Sequence, residues 1–526
     1  MSYFPEITSM AEVPRYHALH RPDRIALVFD GESIDYATFN RRCSQIANGL
    51  AAMGVRPGDR IAFIGKNSAD YFELLFGAAK AGVVMVPISW RLAAMEVDYI
   101  LADGEVKVLF NDAELAPLLA KSPAAQKIPN VDMIGSGAFR TWRDAQSSAE
   151  PEVEVSASDV FIQLYTSGTT GHPKGVQLPH GNFFVIERQR VLAGSPDEDL
   201  FEWNLWGPTD VGLITMPCFH ISGTGWGVVG LYAGAKNIVM REFSAEGVLA
   251  SFNEHGVTKL LLVPTAIQMV LDHPAAATTN FDTLKYLAYG ASPIPLEILK
   301  RAIQVFQCQF VQMYGLTETT GAITFLPASD HQVDGNQRML SAGRAVYGME
   351  LAIFDSEGKR LAANEVGEIC VRTPTLMAGY WKLPERTAEC VDSEGWFHTG
   401  DAGCLDEDGY VYIKDRIKDM IVSGGVNIYP AEIENALYAM PQVAEAAIIG
   451  VPDSKWGEAV MAFIVPRAGA KLDAEAVMNF CRDRIAGYKI PRLIEFVSEL
   501  PRNGTGKVMK TELRKPYWSG RERQVG

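Results

Sequence analysis

A chain of 526 residues is too long for one ordinary hydrophobic core and predicts two to four domains or subdomains. With 48% hydrophobic and 21% charged residues it has a globular composition, and no apolar run is long enough to span a membrane. The net charge of −15 argues against nonspecific binding of nucleic acid, and 7 scattered cysteines with no C-x-x-C argue for reduced thiols and against a disulfide framework or a zinc site.

Along the first hundred residues, strand-like and helix-like patterns alternate. "RIALVF" (24–29) reads as a strand and "DGE" as a turn. Phe39, Cys43, Ile46, Leu50 and Met53 then share one helical face, closed by Gly54. "RIAFIG" (60–65) predicts a strand, Tyr71 to Ala81 a helix ended by Gly82, and "VVMVPI" another strand. Repeated strand–helix–strand units predict a largely parallel, helix-covered sheet, continued by "KLLLVP" (259–264) and "QFVQMYG" (309–315). After about residue 340 the pattern changes. "EVGEICVR", "DEDGYVYI" and "GKRLA" read as short strands of a small antiparallel sheet or barrel. A compact α+β unit follows, with helices over Ala431–Ala439 and Ala474–Ile485 around the strands "EAAIIGVP" and "VMAFIVP". The best boundary lies near Asp415–Lys418. No secretory leader precedes the first predicted helix, which with the thiol pattern sets a cytoplasmic expectation.

The densest chemistry lies in "YTSGTTGHPKG" (Tyr165–Gly175), directly after the apolar run Val160–Ile162. Successive glycines let backbone N–H groups converge on an anion; hydroxyls add donors and Lys174 adds charge. It is not a Walker A loop, because Lys174 follows proline and precedes glycine. "NGTGKV" (503–508) fails the same test, and Lys507 there is either a mobile surface lysine or a residue delivered to a phosphate. Gly225, Gly227 and Gly230 satisfy G-x-G-x-x-G on paper. They lack the preceding strand and following acid of a dinucleotide site, so they read as close packing or a narrow ligand channel. "YGASPIP" (289–295) and "MYGLTETTG" (313–321) each follow an apolar run and belong at the ligand edge of a parallel sheet. Among their hydroxyls, the Glu318 carboxylate suits Mg²⁺ held beside phosphate oxygens. "GWFHTGD" (395–401) ends in Asp401, a carboxylate able to accept hydrogen bonds from a ribose diol.

"YTSGTTGHPKG", "MPCFHISG", "YGASP", "MYGLTETTG", "GWFHTGD", "YIKDRIKDMIVSGGVNIYPAEIE" and "PRNGTGKVMK" occur in that order. Together they resemble the adenylate-forming superfamily, most closely bacterial fatty-acyl-CoA synthetases and relatives acting on other carboxylic acids. The resemblance implies an α/β fold: a large N-terminal domain (1–416) of two sheet-and-helix subdomains plus a small β-barrel, then a mobile α+β C-terminal domain (417–526). It implies an acid–thiol ligase that makes acyl-AMP and pyrophosphate from a carboxylic acid and ATP, then a thioester with coenzyme A, using Mg²⁺. Thr166, Ser167, Gly168, Thr169, Thr170, Gly171 and Lys174 would close over the β- and γ-phosphates, with Thr317 and Glu318 serving the α-phosphate and the metal. Tyr314 and Gly315 would meet adenine beside Gly290, Ala291 and Ser292, and Asp401 and Arg416 would hold the ribose. Lys507 would act during adenylation only; Lys418 would be the hinge that brings Gly424 and Gly425 to the coenzyme A channel. The alternatives are an acyl-AMP ligase loading a carrier protein and a catalytically silent nucleotide-binding protein of the same fold.

The expected acyl pocket contains His220, Gly223, Thr224 and Trp226. Thr224 stands where some long-chain members carry a gating tryptophan, and Gly223, Gly225 and Gly227 suggest room for a bulky alicyclic or steroid-derived acid as readily as for a medium- or long-chain fatty acid. His220 is either a gate and carboxylate contact or a buried structural histidine. From Arg482 onward, 11 Lys or Arg stand against 5 Asp or Glu, a basic tail that is either a solvated face or a surface for coenzyme A phosphates. The partners implied are the acid, ATP and coenzyme A, with a homodimer left open.

Overall fold

The computed structural model describes residues 3–132, 137–166, 172–194, 206–424, 426–482, 484–502 and 508–519. The chain divides into two compact units, one of Met1–Glu350 with Arg372–Phe397, the other of Leu351–Val371 with His398–Gly526.

The first unit holds two sheets. In the nine-stranded sheet, Lys236–Val239, Val211–Ile214, Lys259–Leu262, Tyr286–Gly290 and Gln309–Leu316 run parallel as neighbours, and Gly321–Leu326 folds back antiparallel on the last. In the seven-stranded sheet, Val160–Thr166, Val84–Ile88, Arg60–Ile64 and Val106–Asn111 are parallel neighbours. The two antiparallel additions at its edge are Lys174–Pro179 and the two-residue strand Gly379–Tyr380.

The helices follow from local chemistry. Tyr36–Ala52 begins where the Asp35 side chain accepts from the Thr38 N–H and buries Phe39, Cys43, Ile46 and Leu50 on one face. Full burial of such a side chain contributes about 1.5–3 kcal/mol. Ala69–Lys80 is capped by Ser68 and buried all round, as a helix enclosed by other elements must be.

The second unit holds a four-stranded sheet of Glu350–Phe354, Gly367–Arg372, Phe397–Leu405 and Val411–Arg416, which stands where the small barrel was expected. "GKRLA" is not a strand; it reduces to one bridge, Phe354 to Arg360, because Asp355 turns the chain by accepting from the N–H groups of Glu357 and Lys359. Beside this sheet, the long antiparallel pair Val443–Asp453 and Gly457–Pro466 centres a five-stranded sheet. Helices Pro430–Tyr438 and Ala474–Arg482 cover one face through Ile433, Leu437, Val477 and Cys481. The position 416/417 lies inside this unit, between its two sheets.

Candidate active site

Neighbouring parallel strands end on one edge, so the segments after Ile214, Leu262, Gly290 and Leu316 gather there. Those segments carry His220, Ala291, Ser292, Thr317 and Glu318. The second sheet contributes the hairpin Val160–Thr166 and Lys174–Pro179, where Thr166 stands opposite Lys174. Ser167, Gly168, Thr169, Thr170 and Gly171 lie outside the described residues, as do Gly425 and Lys507.

Lys174 Nζ lies 4.0 Å from the centroid of the Tyr380 ring. Tyr380 reaches this position because it pairs with Val176 across the sheet edge. Its hydroxyl then donates to Glu318 Oε1 at 2.8 Å, so one ring meets the cation on its face and the carboxylate through its hydroxyl. Burial, and then the Glu318 charge, pushes the phenol far above its usual range, so Tyr380 remains a donor.

The Thr317–Thr319 turn that presents Glu318 is held from several sides. Leu316 N–H donates to Thr319 Oγ1 at 3.1 Å, Thr375 Oγ1 donates to the Thr319 carbonyl at 2.9 Å, and Met377 N–H donates to the Glu318 carbonyl at 2.8 Å. Asn182 Nδ2 bonds Thr320 Oγ1 and the carbonyls of Thr375 and Leu376 at 2.8–3.0 Å. Neither Tyr380 nor Asn182 is marked by a motif in the sequence; the only hint of Tyr380 is an aromatic set between glycine and tryptophan.

Gly290 and Gly315 serve close backbone approach. A Cβ on Gly290 would collide with the Met313 carbonyl, and one on Gly315 with the Gly321 carbonyl across the hairpin. Tyr314, half-buried, flanks a register shift in the same hairpin, between Tyr314 and Gly315. Ala291 and Ser292 are exposed, and Ala291 is held at φ +66°, a left-handed conformation that costs a non-glycine residue about 1 kcal/mol.

The expected acyl pocket differs from its sequence picture. A Cβ at Gly223 would strike the carbonyls of Met216 and Pro217, and one at Gly227 would strike the Phe72 ring. These glycines let the helix Ile221–Tyr232 lie close to its neighbours; they do not open room for a bulky acid. Of the three, Gly225 alone has slack, with Ile221 Cδ1 3.6 Å away. Thr224 is fully buried, its hydroxyl engaged by Tyr71 and the Cys218 carbonyl. Trp226 is buried edge-on against Trp206, centroids 4.9 Å apart, and among the described residues neither indole N–H has a partner. His220 stands at the N-cap of the same helix with its Nε2 buried and, among the described residues, unpartnered, and burial, aided by the Arg91 charge, pulls the imidazole down to about 4.

In the second unit, Asp401 and Arg416 are register partners on adjacent strands, and Arg416 Nε lies 2.7 Å from the buried Asp401 carboxylate. Lys418 sits in the short turn Ile417–Asp419, where burial pulls its ammonium down. Gly424, at φ +60°, donates its N–H to the Trp456 carbonyl at 2.8 Å and lies under the Trp456 ring. Much of the basic tail is consumed internally: Lys489 pairs with Glu432, Arg502 with Glu445, Lys510 with Glu434, Arg514 with Asp419 and Lys515 with Glu512.

Comparison with known proteins places the chain in a family. Residues 15–381 match the AMP-binding enzyme family and residues 432–507 the AMP-binding enzyme C-terminal domain. The chain is 40% identical over 525 residues to the fatty acid–[acyl-carrier-protein] ligase ScoC of Streptomyces coeruleorubidus, covering 99% of each chain. It is 37% identical over 505 residues to a feruloyl-CoA synthase of Amycolatopsis sp, covering 96% of this chain and 98% of that one. The crystal structure of ATP-bound MatB from Rhodopseudomonas palustris superposes with a TM-score of 0.86 at 30% identity, covering 97% and 99% of the two chains. The chain belongs to the AMP-binding, adenylate-forming enzyme family. It is an AMP-forming acid–thiol ligase with an ATP-binding fold. Among the described residues, no helix is long and apolar enough to cross a membrane.

Proposed function

We propose that the enzyme activates a carboxylic acid as its acyl-adenylate and transfers the acyl group to coenzyme A. The observation that carries this reading is the pair of contacts Tyr380 makes with Lys174 and Glu318, which sets a cation and an oriented carboxylate beside a hydroxyl-rich turn at the strand ends. A carboxylic acid is ionised at neutral pH, so the first step needs charge neutralisation and alignment more than a general base. The substrate carboxylate attacks the α-phosphate and pyrophosphate leaves; the coenzyme A thiol then displaces AMP.

Within that scheme, Thr166 and the loop through Lys174 bind the pyrophosphate end of ATP, and Thr317 orients the α-phosphate. Glu318, half-buried with Oε1 fixed by Tyr380, is a hard oxygen donor that fits Mg²⁺. When bound, that ion offsets phosphate charge. Tyr314, Gly315, Gly290, Ala291 and Ser292 form the adenine wall, and Asp401, oriented by Arg416, accepts from the ribose hydroxyls. Lys507 reaches the α-phosphate during adenylation, Lys418 is the pivot between half-reactions, and Gly424 and Gly425 line the pantetheine path.

For the acid, a ring-bearing substrate with a hydrogen-bond acceptor is favoured over a plain alkyl chain. The buried indole N–H of Trp226, on the helix that carries the expected acyl-pocket residues, lacks a partner among the described residues, and an unmet donor costs about 1–3 kcal/mol. Pyrophosphate release screened over aliphatic, aromatic and alicyclic acids tests this, and strict preference for unbranched chains would refute it. A second reading, transfer to a carrier protein, is favoured by the similarity to the Streptomyces ligase. Thioester formation with coenzyme A and no added carrier decides between them.

A further inference from the structure

We infer that the four-stranded sheet of the second unit carries a transition-metal site, formed by Glu368, Cys370 and His398, that takes Zn²⁺. Their donor atoms all lie within 4.8 Å of one another. Glu368 and Cys370 are two residues apart on the strand Gly367–Arg372, so they share a face; His398 comes from the neighbouring strand Phe397–Leu405. His398 Nδ1 stands 3.4 Å from Cys370 Sγ and 2.8 Å from Glu368 Oε2.

Those separations are close to what one ion requires. Zinc bonds of about 2.0–2.3 Å in a tetrahedron place ligand atoms roughly 3.3–3.6 Å apart, so the Cys–His spacing already fits and the Glu–His spacing needs to open by about half an ångström. The carboxylate is also pre-oriented: Gly400 N–H donates to Glu368 Oε1 at 2.9 Å, which turns Oε2 toward the imidazole. Cys370 is fully buried, while His398 and Glu368 are partly exposed, giving an ion a route in from one side. Three protein ligands leave a fourth position for water.

The donor set decides the ion. A thiolate with an imidazole and one carboxylate is a borderline-soft set that selects Zn²⁺ and its neighbours over Mg²⁺. Binding is a proton exchange: the Cys370 thiol loses its proton to solvent, and Nδ1 becomes available when the imidazole carries its hydrogen on Nε2. Cysteine spacing alone argues against zinc here, because no second cysteine lies nearby in sequence; the sheet, not a short motif, brings the ligands together. The site is independent of the proposed reaction. An ion there clamps together two strands, one of which also carries Asp401.

The test uses the full-length protein stripped with EDTA and titrated with Co²⁺ alone. We expect one equivalent to bind with a thiolate-to-cobalt charge-transfer absorption, displaced by Zn²⁺ and not by excess Mg²⁺. Cys370→Ser should abolish that band, and His398→Gln should weaken Co²⁺ binding at least tenfold. Zn²⁺ should raise the melting temperature of the wild type but of neither variant. Should Cys370→Ser fail to fold, Glu368→Gln supplies the comparison through weakened binding at an intact thiolate band. Absence of the band in the wild type, its survival in Cys370→Ser, or unchanged affinity in Glu368→Gln overturns the proposal.

Discussion

The Tyr380 hydroxyl and the Glu318 carboxylate, 2.8 Å apart, tie the edge of one sheet of the first unit to the strand-end turn of the other. Because the phenol is held protonated, this is a neutral donor on a charged acceptor, a class of bond worth about 1.5–3 kcal/mol. Tyr380→Phe keeps the ring beneath Lys174 and removes only that bond. Adenylation, followed by pyrophosphate release, is expected to fall about 10- to 100-fold, with the KM for MgATP rising. Wild-type kinetics in this variant would show that Glu318 needs no such support.

Lys507→Ala separates the half-reactions. A cation acting only on the developing phosphate charge accounts for roughly 10²–10³ in rate. Acyl-AMP formation should drop by about that factor, while thioester formation from supplied acyl-AMP stays near the wild-type rate. Equal loss of both would remove Lys507 from its assigned step.

Gly315→Ala tests the hairpin that carries the proposed adenine wall. The new methyl would meet the Gly321 carbonyl inside contact distance, and neither strand can move without losing ladder bonds. Overpacking of this kind costs about 1–3 kcal/mol. A lower melting temperature with weakened ATP binding is expected in calorimetry; an unchanged value for both would mean the hairpin yields freely.

Acid stability follows from four histidines of the first unit that burial holds neutral. His17 and His180 are pulled from 6.5 to about 3, and His220 and His331 to about 4. Between pH 6.5 and 4 the unfolded chain takes up protons at these positions and the folded chain does not. Each group therefore withdraws stability at up to about 1.4 kcal/mol per pH unit as pH falls, with its contribution intact above 6.5. Melting temperature should decline steeply over that window, and a flat profile would mean these rings are protonated in the folded state.

Much of the scaffold was legible because its signals are local. Apolar spacing marked Tyr36–Ala52 from its fourth residue, Phe39, and short apolar runs marked Lys259–Leu262 and Gln309–Leu316 within a residue or two of their true ends. The order of the motifs carried the family. What escaped depends on contacts between distant segments. Tyr380 acts from a strand only two residues long, and Asn182 fastens a turn more than 130 residues away in sequence. A glycine in a sequence also does not say whether its missing side chain leaves a void or makes way for a neighbour. At Gly223 and Gly227 the neighbour is already there.

That distinction bears on how such an enzyme changes its diet over generations. Two of the three glycines on the helix Ile221–Tyr232 are committed to backbone and ring contacts, so mutation there is filtered out by folding before any new acid is met. Among the described residues, Gly225 faces only the end of a pliable isoleucine side chain and can accept a methyl group. With this helix lining the acyl pocket as proposed, inherited variation in substrate preference has one position at which to begin.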